Sequence, residues 1–449
     1  MKNYDVIVLG GGIAGSIAAI AAARAGASTL LLEEEGYLGG SLTACGTGPM
    51  MTFHAGDDLV VCGLTDELIQ RMTKKGLSVG HIVDTTGYTY SVTPFDAEGM
   101  KRELECMALE AKVELLYHTT LIAATREGDT VKSITASSCG TQMAFSAKCF
   151  IDATGDGDLF VLADIPYVQG RESDGMDQPM TTNVRLDHVD IDAVRDVMKK
   201  DISLFPLLMN GKEHLPEKAS RLSISGFQQA MQDGMRAGEL TFDRDIVLCF
   251  ETNHRNEVIA NMTRVNGENP VDPASLTRAE IEGRRQAWEL LAFLKKHIPG
   301  FENAEMKFTG PRIGIRSSRR LVGKYCITEQ DVLGAAKFED GIAASGYPID
   351  VHSPDGEETN SIHLEYGQYY TIPYRCLYTD SISNVLAAGR NISSTFQAHA
   401  STRVSPICGA IGHAAGIACA MASAESGDVR SVSTDALRAA LRKDGARVE

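Results

Sequence analysis

The sequence predicts an α/β fold in which a parallel-sheet domain is split along the chain and an α+β unit is inserted between its halves. Three observations predict it. Short apolar runs at 4–9 (YDVIVL) and 28–33 (STLLLE) flank an Ala-rich helical stretch at 13–25, which is a βαβ unit. The middle, about 165–365, carries most of the 14 prolines and long charged helices such as 277–297. Strand-like apolar sequence then returns at 383–389 (SNVLAAG), and an Ala- and Gly-rich helix follows at about 406–424.

The remaining elements follow in order. Residues 64–75 and 95–112 place apolar residues at intervals of three and four, the helical period. Residues 113–124, 130–136 and 142–154 read as strands, ending in the loop TGDGD. The predicted domains are 1–164 and 366–449, forming one sheet domain, with 165–365 as the inserted substrate or cap domain.

The first strand runs into Gly10-Gly11-Gly12-Ile13-Ala14-Gly15, which satisfies G-x-G-x-x-G and opens the first helix. In such a turn the first glycine permits the tight bend and the second lets backbone approach a pyrophosphate. The third lets the helix pack on the sheet. The helix N-terminus offers free N–H groups and partial positive charge to phosphates. An acid that binds ribose hydroxyls is expected about 20 residues further on, and Glu33 and Glu34 end the second strand there. In this strand–turn–helix–strand setting the motif reads as dinucleotide binding. The other reading is a glycine-rich βα turn of another α/β protein.

Composition narrows the class. Lys plus Arg is 43 and Asp plus Glu is 59, a formal charge of −16, which opposes general binding to nucleic acid. The ten cysteines form no CxxC pair, so no disulfide framework, zinc ribbon, iron–sulfur cluster or other metal site is expected. Reduced thiols and the lack of a signal-peptide pattern point to the cytoplasm. The apolar stretch Ile17 to Leu32 is broken by Arg24 and Gly26, so no membrane span is expected.

Five segments carry a family resemblance: EEEGYLGGSLT (33–43), FIDATGDGDL (150–159), IGIRSSRRLVGKY (313–325), GYPIDVH (346–352), and YTIPYRCL with NVLAAGRNIS (370–377, 384–393). Their order, from about residue 4 to 424, resembles the bacterial FAD-dependent oxidoreductase family within the fumarate reductase/succinate dehydrogenase flavoprotein superfamily. The resemblance implies a glutathione-reductase-type FAD/NAD(P)-binding fold and FAD as cofactor. It implies cofactor contacts at Gly10, Gly12, Ile13, Ala14, Gly15, Glu33 and Glu34, and at Gly39, Gly40, Ser41 and Thr43. Ala153, Thr154, Gly155 and Asp156 supply a second contact; Gly389, Arg390 and Gly416 supply the last. The last helix is expected to aim its N-terminal end at the flavin and favour the anionic reduced ring. GSLTAC (40–45) lacks the histidine of the covalent members, so the flavin is expected to be non-covalent. Cys45 has no resolving partner nearby and reads as a packing residue.

Catalytic candidates come from charge and from the resemblance. Arg312, Arg316, Arg319, Arg320 and Lys324 concentrate positive charge in an acidic chain. They read as a clamp for an anionic substrate, since Arg forks onto carboxylates, or as structural partners of the many acids. Arg316 and Arg320 are the stronger candidates. His352 ends GYPIDVH, and His399 and Arg403 lie in FQAHASTRVSP, which the resemblance places beside the reactive face of the flavin. The family's His-Glu pair stands here as Phe396-Gln397, and His399 supplies an imidazole one turn away. Both histidines also read as core or surface residues.

The expected activity is hydride transfer between flavin N5 and a small anionic or polyhydroxylated substrate, with Arg or His moving a proton or stabilising charge. No second G-x-G-x-x-G supplies a dedicated NAD(P)H domain, so the electron donor or acceptor stays open, as does the oligomeric state. A flavin-binding electron-relay subunit is the alternative from another class. A flavin monooxygenase rests on Asp156-Gly157 alone. A tRNA-modifying flavoprotein is opposed by the net charge, and a halogenase by the single Trp288.

Overall fold

The computed structural model describes residues 2–209, 211–355 and 360–449. Its first sheet is built by β1 (Lys2–Leu9), β2 (Thr29–Leu32), β3 (Glu114–Leu116), β4 (Thr120–Glu127), β5 (Thr130–Ser138) and β6 (Thr141–Asp152). Strands β3, β2, β1 and β6 lie parallel in that order. The last four residues of β1 and all of β2 are buried, as expected for strands with both faces covered. The first half of β6 instead joins β5 and β4 in an antiparallel meander. Helices α1 (Ile13–Arg24), α2 (Leu64–Lys74) and α3 (Ala97–Glu110) accompany the sheet, and Asp96 caps α3 by accepting from the Gly99 N–H at 2.6 Å.

The run 113–124, expected as one strand, is two. His118 lies at φ +52°, and the N–H groups of His118 and Thr119 donate to the Glu35 and Glu33 carbonyls. The chain therefore leaves the parallel edge at Leu116 and restarts in the meander at Thr120. Local apolar content does not report that turn.

The inserted part carries its own antiparallel sheet: β7 (Val184–Asp187), β8 (Ser223–Gly226), β9 (Val247–Glu251), β10 (Val258–Ala260) and β11 (Glu305–Thr309), in the order β8-β9-β10-β7-β11. Its core is separate from that of the first sheet. Helix α4 (Pro273–His297) buries Ala287, Leu290, Phe293 and Leu294 in it. Proline at the first helical position and the Asp272 side chain accepting from Ser275 N–H start this helix.

The chain then returns to the first sheet. Strand β12 (Val385–Ala387) pairs parallel with the end of β6. Two helices follow, α5 (Phe396–Thr402), capped by Thr395, and α6 (Ser405–Ala424), with Pro406 in its first turn. Helix α6 packs on α1 at backbone contact. A Cβ on Gly412 would lie 2.1 Å from the Ala14 carbonyl oxygen, and one on Gly416 2.2 Å from that of Ala18. By length and apolarity α6 is long enough to cross a membrane, but 83% of its most apolar window is buried inside the fold. The α/β class, the Rossmann-like sheet and the inserted α+β unit are as the sequence predicts.

Candidate active site

The turn from β1 into α1 is closed by its own backbone. Gly10 sits at φ +91°, and a Cβ there would lie 2.5 Å from the Ala153 carbonyl oxygen; one on Gly15 would lie 1.9 Å from that of Gly10. Gly12 differs: an added Cβ would meet nothing nearer than the Gly40 Cα at 3.9 Å. One glycine of the motif thus faces open space, while the flanking two pack against chain. Beside it the Gly39 N–H donates to the Gly11 carbonyl, so the Gly39–Thr43 segment lies along the turn, with Ser41 exposed and Thr43 Oγ1 bound to the Leu38 carbonyl.

Glu33 ends this groove. It is buried and accepts from the N–H groups of Gly11 at 2.5 Å and Glu35 at 2.7 Å, and burial pushes its carboxyl up to about 7. Glu34 points out and pairs with Arg312, which also pairs with Glu35. On the next strand Asp152 is fully buried and accepts from Thr154, Leu159 and Asn391, and burial raises it to about 7. Gly389 approaches Ala14, and Arg390 donates to the Gly155 and Ile315 carbonyls and to Asp156. Ala153–Asp156 and Gly389–Arg390 therefore meet below the turn. Gly416 does not join them: its bare Cα serves the contact of α6 with α1. Cys45 is buried with its thiol pushed up to about 12 by burial, and it contacts the Ile313 carbonyl at 3.5 Å, consistent with packing.

The positive patch read from 312–324 does not converge. Arg312 pairs with Glu34 and Glu35, Arg319 with Asp158, and Lys324 with Asp380. Arg320 is buried and is spent on the Ser394 and Gly170 carbonyls at 3.0 Å each, with Glu172 at 3.6 Å. Arg316 instead donates to the Pro179 carbonyl at 2.5 Å and to Thr181. Burial and the facing Arg403 bring its guanidinium down to about 9.

Arg316 there meets a group that linear reading did not assemble. Asp350 lies at its centre, in the short strand Ile349–Val351. It sits 3.7 Å from Arg403 Nη2 and 3.4 Å from His352 Nε2, and it accepts from the Tyr347 hydroxyl at 3.2 Å. Burial opposes its charge, but His352, Arg403 and Arg316 outweigh burial and hold the carboxyl well below the usual range. His352 is pushed down to about 3 by burial and Arg316, so its ring is neutral at physiological pH. Arg244 and Arg264 from the inserted unit add their fields to Arg316. His399 stands on α5, one turn before Arg403, and is fully buried. Burial, with Arg320, Arg403 and Arg390, holds it far below the usual histidine range.

The structure therefore brings Arg316, His352 and Arg403 together, sets His399 alongside, and keeps Arg320 as an anchor. Sequence reading missed Asp350, Tyr347, Arg244 and Arg264. Asp350 had a signal, an acid two residues before His352. Arg244 sits between Asp243 and Asp245 and reads as a solvated loop.

A split Rossmann-like sheet, an open glycine turn with a strand-end glutamate, and a second sheet closing over a charged interior define a dinucleotide-dependent redox enzyme. Residues 5–441 match the model of the FAD dependent oxidoreductase family, and the chain belongs to that family. It is an FAD-dependent oxidoreductase. No curated protein sequence matches it. Among solved structures it is similar to a geranylgeranyl bacteriochlorophyll reductase-like protein from Thermoplasma acidophilum, at 12% identity over 99% of this chain and 84% of that one, TM-score 0.47. It is also similar to the flavin-dependent brominase Bmp2, at 14% identity over 98% and 83%, TM-score 0.49. A third is the myxobacterial chondrochloren halogenase CndH, at 13% identity over 99% and 79%, TM-score 0.47.

The residues fit FAD. The space at Gly12 would admit a pyrophosphate against the α1 N-terminus, and the buried Asn391 Oδ1 has no hydrogen-bond partner among the described residues.

Proposed function

We propose that this flavoenzyme is a dehydrogenase or reductase of a small anionic substrate, seated at the Asp350 group between the two sheets. The observation that carries the reading is the convergence of Arg316 and Arg403 charge on the buried carboxylate of Asp350, with Arg244 and Arg264 adding positive field. At Asp350 itself two guanidinium groups face one carboxylate, and buried charge calls for a partner.

Bound FAD supplies the acceptor or donor of hydride. Gly10, Gly12, Ile13, Ala14 and Gly15 would hold its pyrophosphate, and Glu33 its ribose. Gly39–Thr43, Ala153–Asp156 and Gly389–Arg390 would hold the rest, without a covalent bond. Arg403 keeps Nε without a partner and stabilises negative charge developing on a substrate oxygen. Asp350 stays ionised and orients Arg403 and His352. A His352 that protonates only near 3 is a poor general base at neutral pH; it acts as a neutral hydrogen-bonding ring.

The test is anaerobic mixing of the purified yellow protein with hydroxy acids, α,β-unsaturated acids and uncharged sugars. Acids are expected to reduce the flavin or reoxidise the reduced form, and the sugars to do neither. A flavin that responds only to uncharged compounds defeats the reading. Acid precipitation is expected to leave the flavin in the supernatant. The pH profile of kcat/KM is expected to show no histidine step between pH 5 and 8; a step near 6.5 that His352→Gln abolishes would contradict the neutral-ring role.

A further inference from the structure

Three arginines are buried among the described residues: Arg244, Arg264 and Arg320. Arg320 is held by two carbonyls, and Arg264 donates to the Ser353 carbonyl at 2.8 Å. Arg244 is 6% exposed and makes no hydrogen bond or ion pair among the described residues; its Nε is sealed from solvent without an acceptor. Its loop inverts the pattern that charge alone suggests. Asp243 is exposed and Asp245 half-buried, while the arginine between them turns inward. Asp245 and Asp350 favour its charge from a distance and Arg264 opposes it.

An isolated buried guanidinium is costly, because it gives up its hydrogen bonds to water and none to protein replaces them. Its neighbours are committed elsewhere, Arg316 to Pro179 and Thr181 and Arg403 to Asp350. Arg244 offers one flat, unused fork, which matches two coplanar carboxylate oxygens. A cleft of about 490 Å³ lies on the same side of the inserted unit, lined by the preceding residues Thr241, Phe242 and Asp243 and by Arg264, while Arg244 itself turns away from it. A larger cleft of about 600 Å³, lined by His188, Asp190, Lys295 and Glu305, touches none of these residues.

We infer that Arg244 is the receptor for a carboxylate group of the substrate, entering from the inserted unit's side of the Asp350 group. This deepens the proposed function and rests on its anionic substrate. Arg316 thereby becomes a positioning residue around Asp350, Arg403 keeps its role at the reacting oxygen, and Arg244 is the specificity-determining contact.

The test compares the flavin-loaded wild type with Arg244→Met and Arg244→Lys, using pyruvate, benzoate and inorganic phosphate as probes. Carboxylate binding is read by the rise in melting temperature and by calorimetric titration; flavin content is read separately by absorbance. Wild type is expected to bind the carboxylates and not phosphate. Arg244→Met should weaken carboxylate binding about 10–100-fold while melting at or above wild type without anion, because an unpaired buried charge has gone. Arg244→Lys should keep part of the binding. The inference is overturned if wild type responds to no probe or to phosphate alone. It is also overturned if Arg244→Met melts several degrees lower with carboxylate binding intact, the result of a purely structural arginine. Loss of carboxylate binding in Arg244→Met together with turnover of uncharged substrates only would sink the proposed function and leave the site standing.

Discussion

At the nucleotide turn, the six consecutive residues Gly10–Gly15 supply the bend, the open face and the helix start, and they do so with backbone. At the Asp350 group, charge arrives on side chains from four separated places: the loop at Arg244, the segment at Arg316, the short strand at Asp350 and the end of α5 at Arg403. The first plan forbids particular atoms, so it leaves a local spacing in the chain. The second needs only that the fold deliver compatible charges to one point, and it leaves none. Tolerance to substitution should differ accordingly: steric and absolute at the turn, electrostatic and graded at the arginines.

The strongest way to break this contrast is Gly15→Val. Its Cβ would overlap the Gly10 carbonyl at 1.9 Å, backbone against backbone, where nothing flexible can yield. The variant is expected to purify without flavin, or not to fold, as read from the absorbance ratio at 450 and 280 nm; a yellow, stable Gly15→Val would dissolve the steric half. Next is Asp350→Asn, which leaves Arg316 and Arg403 facing each other without a buried anion. A loss of about 3–5 kcal/mol in denaturant unfolding is expected, and less than about 1 would mean that solvent already screens the group.

Glu33 sharpens the comparison from the nucleotide side, because there too one side chain carries charge. Its carboxyl lies near 7 in the folded chain, above the usual range, so the folded state holds the proton more tightly than the unfolded state. Stability from this group is full below about pH 4.5 and is lost as pH rises through 7. In flavin-free protein, Glu33→Gln should remove that decline with pH; parallel pH profiles for the two proteins would refute it. The smallest effect is expected at Arg312→Gln. That residue is half exposed and paired with Glu34 and Glu35 at the surface. It should shift stability by less than about 1 kcal/mol and leave flavin turnover unchanged.

What was legible in the sequence follows the same line. The βαβ opening, the glycine turn, Glu33, the helix α6 and the split of the sheet could all be read, because each is a local spacing or period. The break between β3 and β4 could not, since it depends on where the His118 and Thr119 N–H groups find acceptors on another strand end. The arginine run 312–324 misled because adjacency along the chain is not adjacency in space: the segment is largely irregular, and each cation meets a different partner. Of the two stronger candidates, Arg316 lies within the field of Asp350 and Arg320 is held by the Ser394 and Gly170 carbonyls. Arg244 stayed hidden because flanking aspartates make an inward-turned cation look like surface.

The contact of α6 with α1 also sets a schedule. Gly412 and Gly416 seat on the carbonyls of Ala14 and Ala18, and β12 completes the sheet beside β6. The helix that carries the nucleotide turn therefore lacks its principal packing partner until the ribosome has translated past residue 416. The inserted unit, with a core of its own, is free to fold while the first sheet waits. A stalled or truncated chain would expose an Ala-rich apolar helix and an unfinished sheet edge, a surface for chaperones and proteases to recognise.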